Sequence, residues 1–363
     1  MKRQFWYYLL MITRKEIYFR LVRAYYKARK NIRSSTSQLE FEIDLEHNLF
    51  LLALDVYTRK YTFSQAVRFI AHERVAREVC APHFRDRVVS VMLSEILLLV
   101  YEPCFITDSY ACRKGKGVLY GVQRMAKHLR SATRNFTQIA YAIKLDFEGF
   151  FLHISHPLLD NIITDKFTSR KTIAKWGKSI DLTFFLWLSR LFIYRDLLKN
   201  SISLSSAEEE RLIPANKLLK NHPERCGLIP GDCSGQIFAN ILADRQDQFV
   251  KRGLHVKHYG RYMDDAILLV TGTKDEACEI LSSLSQFASS NLLLSLHKKK
   301  SKVTQYSNLG VPFLGVRLIY YRMTPFRYIY TAIKNAGSKQ ASLNSYKGYL
   351  SHYSYNRHLL FAI

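Results

Sequence analysis

The sequence predicts an α+β fold in which a small antiparallel sheet carries acidic residues and helices supply most of the remaining chain. Three observations support this prediction. β-prone residues flank Tyr262–Asp265 on both sides and indicate a tight β-hairpin. An apolar run over Tyr141–Leu145 indicates another strand, which ends at Asp146. Apolar residues at helical spacing occur elsewhere, as in Thr183–Tyr194 and Ile237–Lys251.

The predicted hairpin carries two adjacent carboxylates, Asp264 and Asp265, at its tip. Neighbouring carboxylates repel each other, and Mg²⁺ held by one or two carboxylates plus substrate phosphates is the usual remedy. A solvated Asp-Asp turn is the simpler alternative for the dipeptide alone. Asp146 offers a third carboxylate, and such a set can hold two metal ions about 3.5–4 Å apart. We therefore expect two Mg²⁺ ions at Asp146, Asp264 and Asp265, with Mn²⁺ as a substitute.

The chain is strongly basic and rich in aromatic residues. Its 54 Lys and Arg residues against 30 Asp and Glu residues give a formal net charge of +24. This charge exceeds what solubility requires and indicates a polyanionic partner. Many of the 23 Tyr and 22 Phe residues lie beside basic residues, as in channels where rings stack on bases and cations contact phosphates. A role in the core is the simpler alternative for most of these rings.

Cysteine spacing and hydropathy point to a cytoplasmic protein. The six cysteines include no Cys-x-x-Cys pair and no companion His at zinc spacing, which favours reduced thiols. The apolar run Phe5–Ile12 is too short to span a bilayer and lacks the small-residue cleavage site of a signal peptide. We therefore expect no membrane association.

Asp146 with Phe150–Phe151, followed downstream by Tyr-Met-Asp-Asp at 262–265, resembles the palm of a reverse transcriptase. The resemblance covers about residues 15–320, with its motifs in the family's order. It implies the right-hand polymerase fold. The implied regions are a basic helical region (1–60), fingers (61–140), a palm (141–310, with an exposed insertion at about 196–226), and a primer grip with a short helical thumb (311–363).

The first two regions supply candidate RNA and triphosphate contacts. Tyr18–Lys30 is predicted to be a basic, aromatic helix, which is either a solvated face or an RNA-binding surface. A second helix is predicted over Leu39–Asp55. Val67–Ile70 and Val75–Val79 are predicted as paired strands. Guanidinium groups match phosphate oxygens, and the resemblance implies that Arg77 binds the triphosphate, with Arg68 or Arg74 as the second ligand. An exposed basic hairpin is the alternative.

The stretch Asp108–Gly117 closely resembles the fingers of bacterial reverse transcriptases from diversity-generating retroelements and related defence-associated lineages. Its two glycines between cations predict a basic loop whose backbone can approach phosphates. The next helix, Tyr120–Arg130, is also basic. The candidate contacts to the nucleic-acid backbone are Arg113, Lys114, Lys116, Arg124 and Lys127.

In the palm, the resemblance assigns the nucleotide site. It implies that the Phe147 carbonyl lies near the metal ions and that the Phe151 ring, under the sugar, excludes a 2′-hydroxyl; an ordinary core Phe is the alternative. Gly231 and Gln236 lie where a polar turn enters a helix, a natural place for a nucleotide. The family has a Pro-x-Gly turn here, but Gly231 follows Pro230 directly, so the middle residue is missing.

The C-terminal part supplies the last predicted site residues. Lys300 aligns with the lysine that the family is proposed to use as a general acid for the leaving pyrophosphate; a solvated lysine cluster is the alternative. Val311–Arg317 resembles the primer-grip hairpin. Met323–Ile363 is predicted to form the short thumb. The primer-grip residues are Phe313, Leu314 and Gly315.

The sequence and the resemblance together predict an RNA-directed DNA polymerase of the bacterial cytoplasm. Its expected partners are an RNA template, deoxynucleoside triphosphates and the DNA product, with a protein partner or a second copy of the chain as a further expectation. One expected role is anti-phage defence with a bound non-coding RNA, favoured by the shortened turn and the compact length. A mutagenic polymerase of a diversity-generating retroelement and a non-catalytic RNA-binding scaffold are the alternatives.

Overall fold

The structure, a computed structural model, describes residues 11–30, 35–71, 76–196, 198–306, 310–319, 322–335 and 340–353. Its helices are α1 (Arg14–Ala28), α2 (Thr36–Ile43), α3 (Leu45–Tyr57), α4 (Phe84–Tyr101), α5 (Val118–Ala132), α6 (Phe150–His153), α7 (His156–Thr168), α8 (Arg170–Trp176), α9 (Leu182–Ile193), α10 (Ala207–Arg211), α11 (Cys233–Gln248), α12 (Lys274–Phe287), α13 (Arg327–Asn335) and α14 (Gln340–Leu350). Its strands are β1 (Ala66–Ala71), β2 (Arg77–Ala81), β3 (Tyr141–Leu145), β4 (Ser201–Ser203), β5 (His258–Tyr262), β6 (Asp265–Val270), β7 (Lys302–Gln305), β8 (Val311–Phe313), β9 (Val316–Ile319) and β10 (Arg322–Pro325). The predicted triphosphate ligand Arg74 lies outside the described residues, as do residues 354–363 of the predicted thumb.

The chain divides into two compact units, each assembled from two separate stretches. The described residues of the first unit fall within 1–104 and 149–242, and those of the second fall within 105–148 and 243–363. The four consecutive regions predicted from the sequence were defined by their expected roles, whereas these two units are defined by compactness. The boundaries of the four regions therefore stay a prediction.

In the first unit, helices surround a small sheet. Helix α4 is buried along most of its length, and α1, α2 and α9 pack against it. The rings of Tyr25, Phe41 and Phe84 meet where these helices converge, with the Tyr25 and Phe84 centroids 6.1 Å apart. The predicted helix Leu39–Asp55 is wrong as a single element, because the backbone at Asp44 leaves the helical region and separates α2 from α3.

The predicted antiparallel pair of finger strands is confirmed as β1 with β2 over the described residues; Val75, the predicted first residue of the second strand, lies outside them. Most described residues of the predicted exposed insertion are exposed or half-buried, but two contacts attach it to the first unit. Its Ser201–Ser203 segment is strand β4, which pairs in parallel with β1, and Leu219 is fully buried. Buried Glu78 explains this packing because its carboxylate accepts from the Leu219 amide at 2.8 Å and from Arg68 at 2.6 Å. The short helix predicted within the insertion is present as α10, with a capping box at its start.

In the second unit, an antiparallel sheet runs in the order β5-β6-β3-β7. Strand β3 is central and mostly buried, as its apolar sequence predicts. Helix α5 packs on β5, and α12 packs on β3 and β7. A second antiparallel sheet, β10-β9-β8, shares a buried core with α5 that includes Met125, Ile267 and Phe313. Among the described helices, none combines the length and hydropathy that crossing a membrane requires.

Candidate active site

The β-sheet of the second unit brings the three predicted carboxylates to one edge. Tyr262 pairs with Asp265, so Met263 and Asp264 form a two-residue turn between β5 and β6. On the other side of β6, Leu145 pairs with Ala266, and the next step of the same register sets Asp146 beside Asp265. Residues directly opposite in an antiparallel pair have Cα atoms about 4.5–5.5 Å apart. Strand register therefore makes the two distant acidic stretches neighbours.

Burial makes this acidic edge electrostatically costly. Burial raises the pKa of Asp264, and the Asp146 carboxylate raises it further. Burial also raises the pKa of Asp265 to about 6, with the Asp264 charge adding to the shift and Lys144 opposing it. The Lys144 ammonium lies 3.5 Å from Asp265 Oδ1, and the Lys300 ammonium lies 3.3 Å from Asp146 Oδ1. The two lysines thus partly neutralise the carboxylates.

The chemistry of this edge fits a divalent cation. Carboxylate oxygens are the ligands that Mg²⁺ prefers, and the buried Oδ1 of Asp265 accepts no hydrogen bond. In this structure, however, the three predicted carboxylates are not arranged as a complete metal-binding set. Within the described part of the chain, no group of three or more His, Cys, Asp or Glu side chains is spaced to hold a metal ion. The carboxylates are neighbours that face lysines.

Backbone contacts anchor Asp146. Its amide donates to Ser301 Oγ and its carbonyl accepts from the same hydroxyl, both at 3.1 Å. The His297 amide donates to the Asp146 carbonyl at 2.7 Å. Phe147 is buried and forms an isolated β-bridge with Leu296. These contacts fix the backbone that carries the first carboxylate and the adjacent Phe147 carbonyl.

Two basic residues near the carboxylates were not predicted as site residues. Lys144 is two residues before Asp146, and the two-residue period of a strand sets both side chains on one face, so the sequence contained a signal for it. Arg261 is fully buried in β5 and donates to the Met263 carbonyl at 3.0 Å. The sequence contained no comparable signal for Arg261, because a single basic residue in a β-prone run does not indicate contact with the turn.

A second polar network holds strand β5 against helix α5. Asp108 accepts from Arg124 through both carboxylate oxygens, at 2.8 and 3.0 Å. Its Oδ2 lies 3.0 Å from His128 Nε2, and His128 Nδ1 lies 3.2 Å from His258 Nδ1. Burial alone would raise the pKa of Asp108, but the His128 and Arg124 hydrogen bonds hold it well below its usual range. Burial lowers the pKa of His258 to about 4.

The predicted backbone-binding residues divide into two groups. Arg113 donates to the carbonyls of Ile106 and Ser109, and Lys116 donates to the Thr107 carbonyl at 2.6 Å. Arg124, the third member of this group, is engaged with Asp108. Lys114 and Lys127 are exposed. Contact with nucleic acid stays a prediction for all of them.

The predicted nucleotide-binding residues other than Phe147 lie in the first unit. Arg68 is engaged by Glu78 and Ser201, and Arg77 lies at the exposed start of β2. Phe151 is half-buried and Gln236 lies in the first turns of α11. Gly231 has φ of 91°, a conformation that favours glycine. A cavity of about 790 Å³ opens at this turn; its walls include Pro230, Gly231, Val67, Val79, His83 and Arg87.

The predicted primer-grip hairpin is present as β8 and β9. Phe313 pairs with Val316, so Leu314 and Gly315 form the turn, with φ of 49° and 82°. Phe313 is buried in the core of the second unit. Contact with a primer stays a prediction.

Comparison with a solved structure shows the fold. The chain is similar to telomerase from Candida albicans, in a structure with a TWJ fragment of telomeric RNA, at a TM-score of 0.50 and 13% identity over 75% of this chain and 49% of that one. Identity this low shows the fold alone. The fold is the right-hand polymerase fold that the sequence predicts.

A family model described as reverse transcriptase (RNA-dependent DNA polymerase) matches residues 73–318, and the chain belongs to this family. It is 23% identical over 269 residues to the group II intron-encoded protein LtrA of Lactococcus lactis subsp. cremoris, covering 66% of this chain and 44% of that protein. It is 21% identical over 315 residues to a putative COX1/OXI3 intron 2 protein of Saccharomyces cerevisiae, covering 77% and 35%. The chain therefore spans less than half the length of these relatives.

Proposed function

We propose that this chain synthesises DNA on an RNA template by nucleotidyl transfer at Asp146, Asp264 and Asp265. The observation that carries the proposal is the register of β3 with β6, which makes Asp146 the neighbour of Asp265. Membership of the reverse transcriptase family supports the same reaction.

Asp146, Asp264 and Asp265 would hold two divalent ions, Mg²⁺ or Mn²⁺ in its place. When bound, these ions neutralise developing charge and make the primer 3′-hydroxyl a better nucleophile. The primer 3′-hydroxyl loses its proton to solvent as its oxygen attacks the α-phosphorus of a deoxynucleoside triphosphate. A new P–O bond forms, and the bond to the bridging oxygen breaks to release pyrophosphate.

The chain's other predicted residues position the reactants. Lys300, whose ammonium already lies at this acidic edge, gives a proton to the leaving pyrophosphate. Arg77 and Arg68 bind the triphosphate, and Phe151 excludes a 2′-hydroxyl. The turn at Phe313–Gly315 holds the primer end. Most of the rate enhancement comes from positioning and charge neutralisation.

Incorporation of labelled deoxynucleotides on a primed RNA template tests this function. Asp264→Asn should lower incorporation at least 100-fold because it removes a carboxylate from the metal set. Asp275→Asn is a matched control, since Asp275 is an exposed acid in the first turn of α12 and should leave the rate within about twofold. Equal incorporation by the wild type and Asp264→Asn would favour the non-catalytic RNA scaffold.

We further propose that the enzyme copies a bound non-coding RNA in bacterial anti-phage defence. The direct Pro230–Gly231 junction supports this role because it departs from the family's template-reading turn. The resemblance of Asp108–Gly117 to the fingers of diversity-generating retroelements favours the alternative, a mutagenic polymerase. Two relatives are named as intron proteins, so an intron RNA is a third template to consider.

Sequencing the nucleic acid that copurifies with the protein separates these roles. One recurrent structured RNA with its complementary DNA supports the defence role. Complementary DNA with frequent errors relative to its template supports diversification, and intron sequence supports an intron role.

A further inference from the structure

Arg261 is the largest fully buried side chain of the described residues, and its guanidinium binds three different groups. It forms a forked pair with Asp247, with Nε and Nη2 at 2.8 and 2.7 Å from the two carboxylate oxygens. Nη2 also lies 3.1 Å from Ser109 Oγ, and Nη1 donates to the Met263 carbonyl at 3.0 Å. Arg261 therefore joins a helix, a loop and the hairpin turn that carries Asp264.

The ion pair itself is completely enclosed. Asp247 is fully buried, and the Tyr259 hydroxyl donates to the same carboxylate at 2.6 Å. Replacing a buried ion pair with packed apolar residues is often neutral or stabilising, so stability alone does not explain a buried guanidinium here. An apolar residue would reproduce neither the hydrogen bond to Ser109 nor the one to Met263, and only the second of these reaches the turn that carries Asp264.

Met263 needs an external restraint. Its φ is 54°, in the left-handed region, which non-glycine residues adopt at a cost. It is the first residue of the two-residue turn, directly before Asp264. A charge-assisted hydrogen bond to the Met263 carbonyl stabilises this backbone conformation. The orientation of the two following carboxylates depends on it.

Arg261 is also anchored through its own backbone. Its amide donates to the Asp108 carbonyl and its carbonyl accepts from the Tyr110 amide, both at 2.9 Å. With the side chain held by Asp247 and the main chain held on both sides, the guanidinium has a fixed position. It can therefore act as a rigid support for the turn.

We propose that Arg261 is a positioning residue, whose guanidinium holds the Met263–Asp264 turn in the conformation that aims Asp264 and Asp265 at the divalent ions. This inference rests on the proposed function. Arg261 is fully buried, which leaves its side chain no surface for direct contact with a substrate. It acts through the Met263 carbonyl, and its loss should weaken metal binding and slow turnover without changing nucleotide binding.

The test compares Arg261→Lys with Tyr259→Phe in the full chain. The lysine keeps a charge beside Asp247 but cannot bridge to Met263, whereas Tyr259→Phe removes one hydrogen bond to Asp247 and keeps the bridge. Mn²⁺ binding is measured by electron paramagnetic resonance, and deoxynucleotide incorporation supplies kcat and KM. We expect Arg261→Lys to bind Mn²⁺ at least tenfold more weakly and to lose at least tenfold in kcat, with KM within twofold. Tyr259→Phe should stay within twofold of the wild type throughout.

A second variant tests the same proposal if Arg261→Lys does not fold. The combined substitution Arg261→Met, Asp247→Leu and Tyr259→Phe removes both charges of the ion pair together with the Tyr259 hydroxyl, so that neither member of the pair is left buried alone. We expect it to fold, as judged by circular dichroism and thermal unfolding, and to show the same loss of Mn²⁺ affinity and kcat. A folded variant that keeps both within twofold would overturn the proposal, as would a loss in Tyr259→Phe equal to that in Arg261→Lys.

Failure of the proposed function would look different. In that case the wild type would incorporate no deoxynucleotide, while the difference in Mn²⁺ affinity between the wild type and Arg261→Lys would still report on the turn.

Discussion

At the scale of single residues, Phe151 is the predicted determinant of sugar selection. Its ring is half-buried and packs edge-on against Phe150, with centroids 5.5 Å apart. Phe151→Ala should raise incorporation of ribonucleotides relative to deoxynucleotides by roughly tenfold or more, since about 1.4 kcal/mol of lost steric repulsion corresponds to tenfold. Primer extension with each nucleotide class measures the ratio. Phe150→Leu is the control because Phe150 is a buried core residue, and a similar ratio in both variants would contradict the assignment.

His258 predicts how stability depends on pH. Its pKa is lowered to about 4, chiefly by burial and then by His128, whereas an unfolded histidine titrates near 6.5. The unfolded state therefore binds more protons between these values, so stability is present above pH 6.5 and is lost as the pH falls toward 4. Between pH 7.5 and pH 5 this group should cost at most about 2 kcal/mol, and less where the ring is exposed.

Urea unfolding at these two pH values measures the effect. The wild type should lose more stability on acidification than His258→Gln, which carries no titrating ring. Parallel pH profiles in the two proteins would show that His258 does not contribute.

At the scale of elements, a buried pair attaches the insertion to the finger sheet. Glu78 is almost fully buried, binds Arg68 on the neighbouring strand and accepts from the Leu219 amide. Glu78→Gln should destabilise the protein by about 3 kcal/mol because it leaves a partly buried guanidinium without its charge partner. Chemical denaturation measures the loss.

Glu210→Gln is the matched control for this pair. Glu210 binds Lys220 within the same insertion, but the lysine side chain is half exposed. Surface pairs of this kind contribute less than about 1 kcal/mol. Comparable losses in the two variants would indicate that Glu78 is not the attachment point.

The secondary-structure elements differ in how far the local sequence predicts them. Apolar runs identified the β5–β6 hairpin, β3 and α9 because period and propensity act locally. The attachment of the insertion to the finger sheet was not predicted because Ser201–Ser203 has no apolar pattern. This segment becomes a strand because β1 offers an edge, and Glu78 holds the insertion at a second point by accepting from the Leu219 amide. The break at Asp44 was also missed, since the apolar spacing continues across it.

At the scale of the whole molecule, the net charge of +24 predicts salt-sensitive RNA binding. Cations that neutralise phosphates release counterions, so affinity falls as salt rises, by about 10³ or more between 50 and 200 mM when six or more phosphates are contacted. Fluorescence anisotropy of a labelled RNA across this range measures the slope. Lys127→Gln should flatten it slightly if this exposed lysine contacts a phosphate, whereas Glu46→Gln, an exposed acid of α3, should not. An affinity independent of salt would contradict electrostatic binding.

The sequence by itself determined the class of the protein and singled out the three candidate carboxylates, because Asp146 and Tyr262–Asp265 are short local patterns at strand ends. Only the tertiary structure decided what surrounds them. The pairing of β3 with β6 made the carboxylates neighbours, the fold set Lys144 and Lys300 against them, and it buried Arg261 with Asp247 beneath the turn. These contacts join residues far apart in the chain, and burial, which no local pattern encodes, is what gives the charges their effect.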